Sequence, residues 1–267
     1  MKSKFNEYVY KFRQMNRNIS PIAKYVYGGL IILIFIALFK KVILNPGIII
    51  MIIAMYFAIV LHEVAHGYVA FLNGDPTAKI FGRLTLNPVK HIDPIGITIP
   101  MILIFMGSPF VIGWAKPVPI NYSMLKNKKI GLFTVAIAGV TVNFINVIIS
   151  TLILKIFFSQ QVIYSIYISL MQGMSINIFN IQNGLALFFI YFIFINMALG
   201  IFNLIPIPPL DGSRILEVFV NKKGKQLLNS MEKYGMIILV VLLYLNVIQM
   251  IIEPIFNFFL KIIFSIL

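Results

Sequence analysis

The sequence predicts an all-α polytopic membrane protein of about five to six transmembrane helices, with a small β-hairpin and a re-entrant segment after the second helix. Three observations carry this. Hydrophobic residues make up 60% of the 267-residue chain and charged residues 11%, with a mean hydropathy of +0.95, whereas a soluble domain is about half apolar. The apolar residues gather into runs long enough for a bilayer, which takes about 20 residues of helix. Between two of these runs lies a shorter one, 95–106, too short to cross.

The formal charge of +14 comes from 22 basic and 8 acidic side chains. The basic ones sit mostly in short polar segments between apolar runs, as in cytoplasmic loops facing anionic lipid. That placement, in short segments between membrane-length runs, argues against a nucleic-acid partner. The chain has no cysteine, so it offers neither a disulfide framework nor thiolate chemistry.

Residues 1–21 read as a basic cytoplasmic amino terminus, followed by one membrane-embedded domain, 22–267, with its core at about 48–220. The first apolar run, 22–39, leads into "FKKVILNPG", which holds no small-residue cleavage site, so it reads as an uncleaved span. Further spans are expected at 48–72, 131–157, 184–205 and 235–252. The final run, 255–267, follows Pro254 and holds Lys261; a sixth span, a kinked continuation and an interfacial helix all fit it.

Basic residues set the topology. Lys79, Arg83 and Lys90 precede 95–106, and Lys116, Lys126, Lys128 and Lys129 follow it. Both loops belong on the cytoplasmic side, so 95–106 dips in and returns. The run 48–72 then points inward, and 131–157 points outward to an uncharged loop, 159–183. The run 184–205 returns to the basic "LDGSRILEVFVNKKGKQ", with Lys40 and Lys41 outside as the exception. In "AKIFGRLTLNP" and "VIGWAKPVPIN", alternation with Gly/Pro punctuation predicts short strands.

The chemistry concentrates in "IVLHEVAHGYVAFLNGD", residues 59–75. His62 and His66 are four apart on a predicted helix, so their rings share a face. Glu63 is turned by roughly 100° from His62, placed to act on a water at the metal rather than on the metal. This is the H-E-x-x-H pattern of zinc peptidases. A purely structural pair of histidines beside a buried glutamate is the plainer alternative, but a charge near mid-bilayer costs about 2.5–3.5 kcal/mol and usually marks function.

A catalytic zinc site takes three protein ligands and keeps an open position for water. Asp75, His91, Asp93, Asp211, Glu217 and Glu232 are the remaining candidates. Asp211 stands out in "FNLIPIPPLDGSR", where three prolines break a helix at membrane depth, as happens where backbone lines a cavity. An ordinary helix N-cap would also account for it. Topology favours the ligand, because the histidine pair and Asp211 both fall in the cytoplasmic half of the bilayer.

"LHEVAHGYVA" together with "NLIPIPPLDG" resembles the site-2 protease family of intramembrane zinc metalloproteases. "NGDPTAKIFGRLTLNPVKHIDPIG" and "GWAKPVPIN" resemble its small branch without a PDZ domain. The resemblance covers about residues 50–220. It implies that His62, His66 and Asp211 bind one zinc ion (Zn2+) per chain, that Glu63 is the catalytic acid/base, and that Asn203 and Pro209 shape the site. The third signature of the family appears as "AGVTVN": Ala138, Gly139 and Asn143 match, and Val140 stands where proline is usual.

The activity so implied is endoproteolysis of membrane-spanning protein substrates within the cell membrane, near the cytoplasmic side. Asn203 is a candidate donor to the oxyanion. The predicted strand 79–86 is a candidate edge for an unwound substrate, or simply packs beneath the site. His91 and Asp93 fit either an outer partner to a ligand or a solvated loop, and Trp114 fits an interfacial anchor. Gly131, Ala136, Ala138 and Gly139 read as a close helix-packing face. A metal-ion transporter is the rival class; it predicts ionisable groups along both halves of the membrane and two similar repeats, neither of which the sequence has.

Overall fold

The computed structural model describes residues 45–93 and 116–267, together with Gly29, Gly96 and Thr98. Apart from Gly29, the expected first span at 22–39, nearly all of the expected re-entrant segment, and Trp114 lie outside the described residues. The helices are α1 (Gly47–Leu72), α2 (Thr77–Ile80), α3 (Lys128–Phe157), α4 (Gln160–Met171), α5 (Ile181–Asn203), α6 (Asp211–Glu217), α7 (Lys222–Glu232), α8 (Gly235–Tyr244) and α9 (Val247–Ile266). Four of them, α1, α3, α5 and α9, are long and apolar enough to cross a bilayer, and α7 with α8, bent by 75°, would make a fifth. The chain is a multi-pass membrane protein.

α1, α3 and α5 pack together, and small side chains on α1 bring them close. Ala54 and Ala58 are fully buried against Phe192 of α5, the close approach that small residues give membrane helices. Between α3 and α5, Asn146 donates to Asn196 Oδ1 at 3.0 Å, and Asn196 donates to Phe192 O at 2.8 Å. The main core joins Leu154 of α3, Ile163 and Ile166 of α4, Leu187 and Met197 of α5, and Leu260 of α9.

Three expectations change. No strand occurs among the described residues: within 79–86 the chain forms the end of α2 and then turns, and 116–121 runs without a ladder partner into a 3-10 turn at Tyr122–Met124. Most of its backbone hydrogen bonds are met by side chains instead, those of Glu63, Asp75 and Arg83. The uncharged loop 159–183 contains α4, capped by Ser159 and seated through Ile163 and Ile166. The break near the carboxyl end falls at Asn246, whose φ of 58° ends α8, and Pro254 lies inside the 20-residue α9.

Asp75, fully buried just beyond α1, organises the loops. Its Oδ1 accepts from the Thr77 N–H at 3.0 Å and from the Thr77 hydroxyl, and its Oδ2 accepts from the Asn121 N–H at 2.6 Å. Burial pushes this carboxyl up, but the bonds from Thr77 and Asn121 outweigh it and leave its pKa below the ordinary value. A depressed carboxylate contributes stability above its unfolded pKa of about 3.9 and loses it as pH falls through the folded value. Asp75→Asn is therefore expected to destabilise the protein at neutral pH by about 1–3 kcal/mol, read as a lower thermal midpoint in detergent. The gap to wild type should close as the pH drops below the usual carboxylate range.

Candidate metal centre

His62 and His66 lie on the inner face of α1 with 5% and 7% of their surface exposed. Their rings meet edge to face, 4.6 Å between centroids, and their Nε2 atoms are 3.0 Å apart. Asp211 Oδ2 is 3.2 Å from each Nε2. The three atoms thus form a nearly equilateral triangle. Zinc with N and O ligands at about 2.0–2.1 Å in a tetrahedron spaces those ligands by about 3.3–3.4 Å, so the triangle is close to the size the ion sets. His66 Nδ1 donates to Val135 O at 2.7 Å, which leaves Nε2 as the bare nitrogen of the neutral ring. Asp211 Oδ2 is buried and takes no conventional hydrogen bond. A cation answers this arrangement better than any proton donor among the described residues.

Asp211 reaches the histidines because the chain breaks after α5. Residues 204–210 turn back, with Ile205 and Leu210 packed on Leu239 of α8 and Ile248 of α9. α6 then begins at Asp211, which is the first helical residue, with Leu210 at the cap. The next residue must be glycine: a Cβ on Gly212 would lie 2.3 Å from Leu204 O and 2.5 Å from Ile205 O. From the third side, Gly139 of α3 lies against both imidazoles, with no room for a Cβ.

The other acidic candidates have different partners. Glu217 and Glu232 both pair with Arg214, and Asp75 is committed to Thr77 and Asn121. Asp93 accepts from the Gly96 N–H at 3.2 Å. His91, fully buried, has its Nε2 2.7 Å from Thr85 O, and burial lowers its pKa despite that bond. It is a loop staple. Among the described residues, the single cluster suited to a metal is His62, His66 and Asp211.

Glu63 leaves the triangle and turns to the 116–121 strap, where its Oε2 accepts from the Val118 N–H at 2.9 Å. Arg83 holds the same strap through the carbonyls of Lys116 and Pro117, and the Lys116 N–H donates to His91 O at 2.9 Å. Asn203 closes α5 and donates through Nδ2 to Leu199 O at 3.0 Å, which leaves its second amide proton available. The sequence offered no sign of the Glu63–Val118 bond, because the two residues are far apart in the chain and the donor is backbone.

Residues 50–246 match the family described as Peptidase family M50. The chain is 36% identical over 192 residues to "Putative zinc metalloprotease YwhC" of Bacillus subtilis, an alignment covering 72% of this chain and 78% of the relative. It is 27% identical over 199 residues to "Putative zinc metalloprotease Rip2" of Mycolicibacterium smegmatis, covering 74% of this chain and 68% of that relative. No solved structure matches it.

Proposed function

The chain belongs to peptidase family M50 and is a membrane zinc metalloprotease, and from that premise we propose that it cuts transmembrane substrate helices inside the bilayer, near its cytoplasmic face. The observation that carries this reading is the His62–His66–Asp211 triangle, with its two histidines inside a 26-residue apolar helix. The basic amino terminus lies in the cytoplasm, a reading that the charge pattern of the loops supports. His62, His66 and Asp211 are the zinc ligands.

Zinc, when bound, supplies Lewis-acid activation of water and of the scissile carbonyl. The remaining chemistry falls to side chains. Glu63 takes the proton of the attacking water on Oε1, because Oε2 is engaged by Val118, and passes it to the leaving amine nitrogen. The second Nδ2 proton of Asn203 is directed to the oxygen that becomes the oxyanion. Burial of the two histidines keeps bulk water from the site. A substrate helix must open its own backbone hydrogen bonds to present a carbonyl here, so the partner is a membrane-spanning protein with a locally weak helix. The lipid bilayer is the second partner.

The test is metal retention paired with cleavage. The purified protein is expected to carry about one zinc per chain and to cleave a membrane-spanning substrate in proteoliposomes, with activity lost to a chelator and restored by zinc. Asp211→Asn should lower zinc affinity at least about tenfold. Unchanged zinc affinity in that variant would remove Asp211 from the ligand set.

A further inference from the structure

Asn143 lies one helical turn beyond Gly139 on α3 and is fully buried. Its Nδ2 is 3.1 Å from His62 Nδ1, while its Oδ1 is buried with no hydrogen-bond partner. This is an unusual waste of a carboxamide, since buried polar atoms are almost always paired. The two histidines also differ. His66 has a carbonyl acceptor, Val135 O, at Nδ1, which fixes its bare nitrogen toward the triangle. With the amide donor of Asn143 at Nδ1, His62 carries its proton on Nε2 instead, the atom that lies 3.0 Å from the bare His66 Nε2. That form makes a hydrogen bond across the triangle and leaves no lone pair there for a metal.

A half-turn of the carboxamide reverses all of this without changing its shape, because its O and N ends are nearly isosteric. Oδ1 then gains the donor it lacks, His62 Nδ1 carries the proton, and Nε2 presents its lone pair beside those of His66 and Asp211. We infer that Asn143 is a positioning residue that sets the tautomer of His62: Nδ2 toward the ring holds the metal-free site closed by a His62 Nε2–H to His66 Nε2 bond, and Oδ1 toward the ring holds the ligating form. Metal binding turns the amide. Outer partners of this kind orient ligand histidines and typically alter metal affinity by about 10–100-fold. The inference rests on His62 being a zinc ligand, as proposed above.

The chain has only three histidines, so their ring nitrogens can be resolved by 15N NMR of histidine-labelled protein in detergent. Zinc-loaded wild type should show His62 bound through Nε2 with a protonated Nδ1, and the metal-free protein should show the opposite tautomer at His62 but not at His66. Zinc affinity, measured against a competing chelator, should fall about 10–100-fold in Asn143→Leu and return in Asn143→Asp, whose carboxylate only accepts. A packing role would make Leu the better substitute of the two. Equal affinities for Leu and Asp, or an unchanged His62 tautomer on metal loading, overturn the inference. Wild-type affinity in Asp211→Asn beside a normal response at Asn143 would strike at the ligand set alone, whereas loss of zinc-dependent shifts at His62 itself overturns both.

Discussion

Glu63→Gln is expected to keep its zinc and to lose cleavage by about a thousandfold or more, at the upper end of what one acid/base group contributes. Glutamine has the same shape and still offers an oxygen to the Val118 N–H, which Glu63 accepts at 2.9 Å, so the strap should stay in place. The basic oxygen is gone. Because Glu63 stands outside the His62, His66 and Asp211 cluster, nothing in the substitution should release the ion. Zinc content by elemental analysis and turnover of a membrane-spanning substrate, measured on the same preparation, make the test. Turnover within a few-fold of wild type would end the role of Glu63 as acid/base. Glu63→Ala provides a second reading: it leaves the Val118 N–H unpaired, and an unsatisfied buried donor costs about 1–3 kcal/mol, so this variant should be both inactive and less stable.

Much of the membrane architecture was legible because hydropathy and length are one-dimensional signals. α1, α3 and α5 begin and end within a few residues of the apolar runs that foretell them. The failures arose where the signal is not hydropathy. In 159–183 the absence of charge marked an external loop, but Ile163, Ile166 and Leu170, spaced at three and four residues, form the packed face of α4 together with Val162. The expected strand around 79–86 is a turn region because Gly82 adopts φ of 61° and the Thr77 side chain is drawn to Asp75. At the carboxyl end Pro254 was the conspicuous breaker, whereas Asn246 in the left-handed region ends the helix. Proline in a membrane helix costs one hydrogen bond and is tolerated there.

The cluster was legible in its three members and opaque in its supports. His62 and His66 follow from spacing, and Asp211 follows from the depth at which two spans end. Their supports are contacts between distant segments: Val135 O under His66, the Asn143 carboxamide against His62, and Val118 on Glu63. Two of these use backbone atoms, which no residue type advertises. The Asn143 side chain was visible within the matched signature, but only its distance to His62 gives it a task.

Gly139 carries the second large prediction. In sequence it belongs to a small-residue face on α3, and the simplest reason for such a face is close helix packing. Its contact is more particular: a Cβ there would lie 2.4 Å from His66 Nε2, 2.5 Å from His62 Cε1 and 2.6 Å from His62 Nδ1. None of these atoms belongs to a flexible tip. Both rings are buried, tied through Nδ1 to α3, and aimed through Nε2 at Asp211. One added methyl must therefore rotate the imidazoles out of the triangle or force α1 from α3. By helix propensity alone, Gly→Ala in a helix interior should stabilise by about 0.5–1 kcal/mol, so a loss runs against the local expectation and reports the contact itself. Gly139→Ala is expected to lose zinc binding by at least about tenfold and cleavage with it. The control is Gly200→Ala on α5, where a Cβ would meet the Phe144 ring at 3.3 Å, a side chain able to shift; it should keep zinc and most activity. If Gly139→Ala retains wild-type zinc affinity, α3 does not press on the histidines as closely as this, and the tautomer-setting contact from Asn143, one turn along the same helix, loses its footing as well.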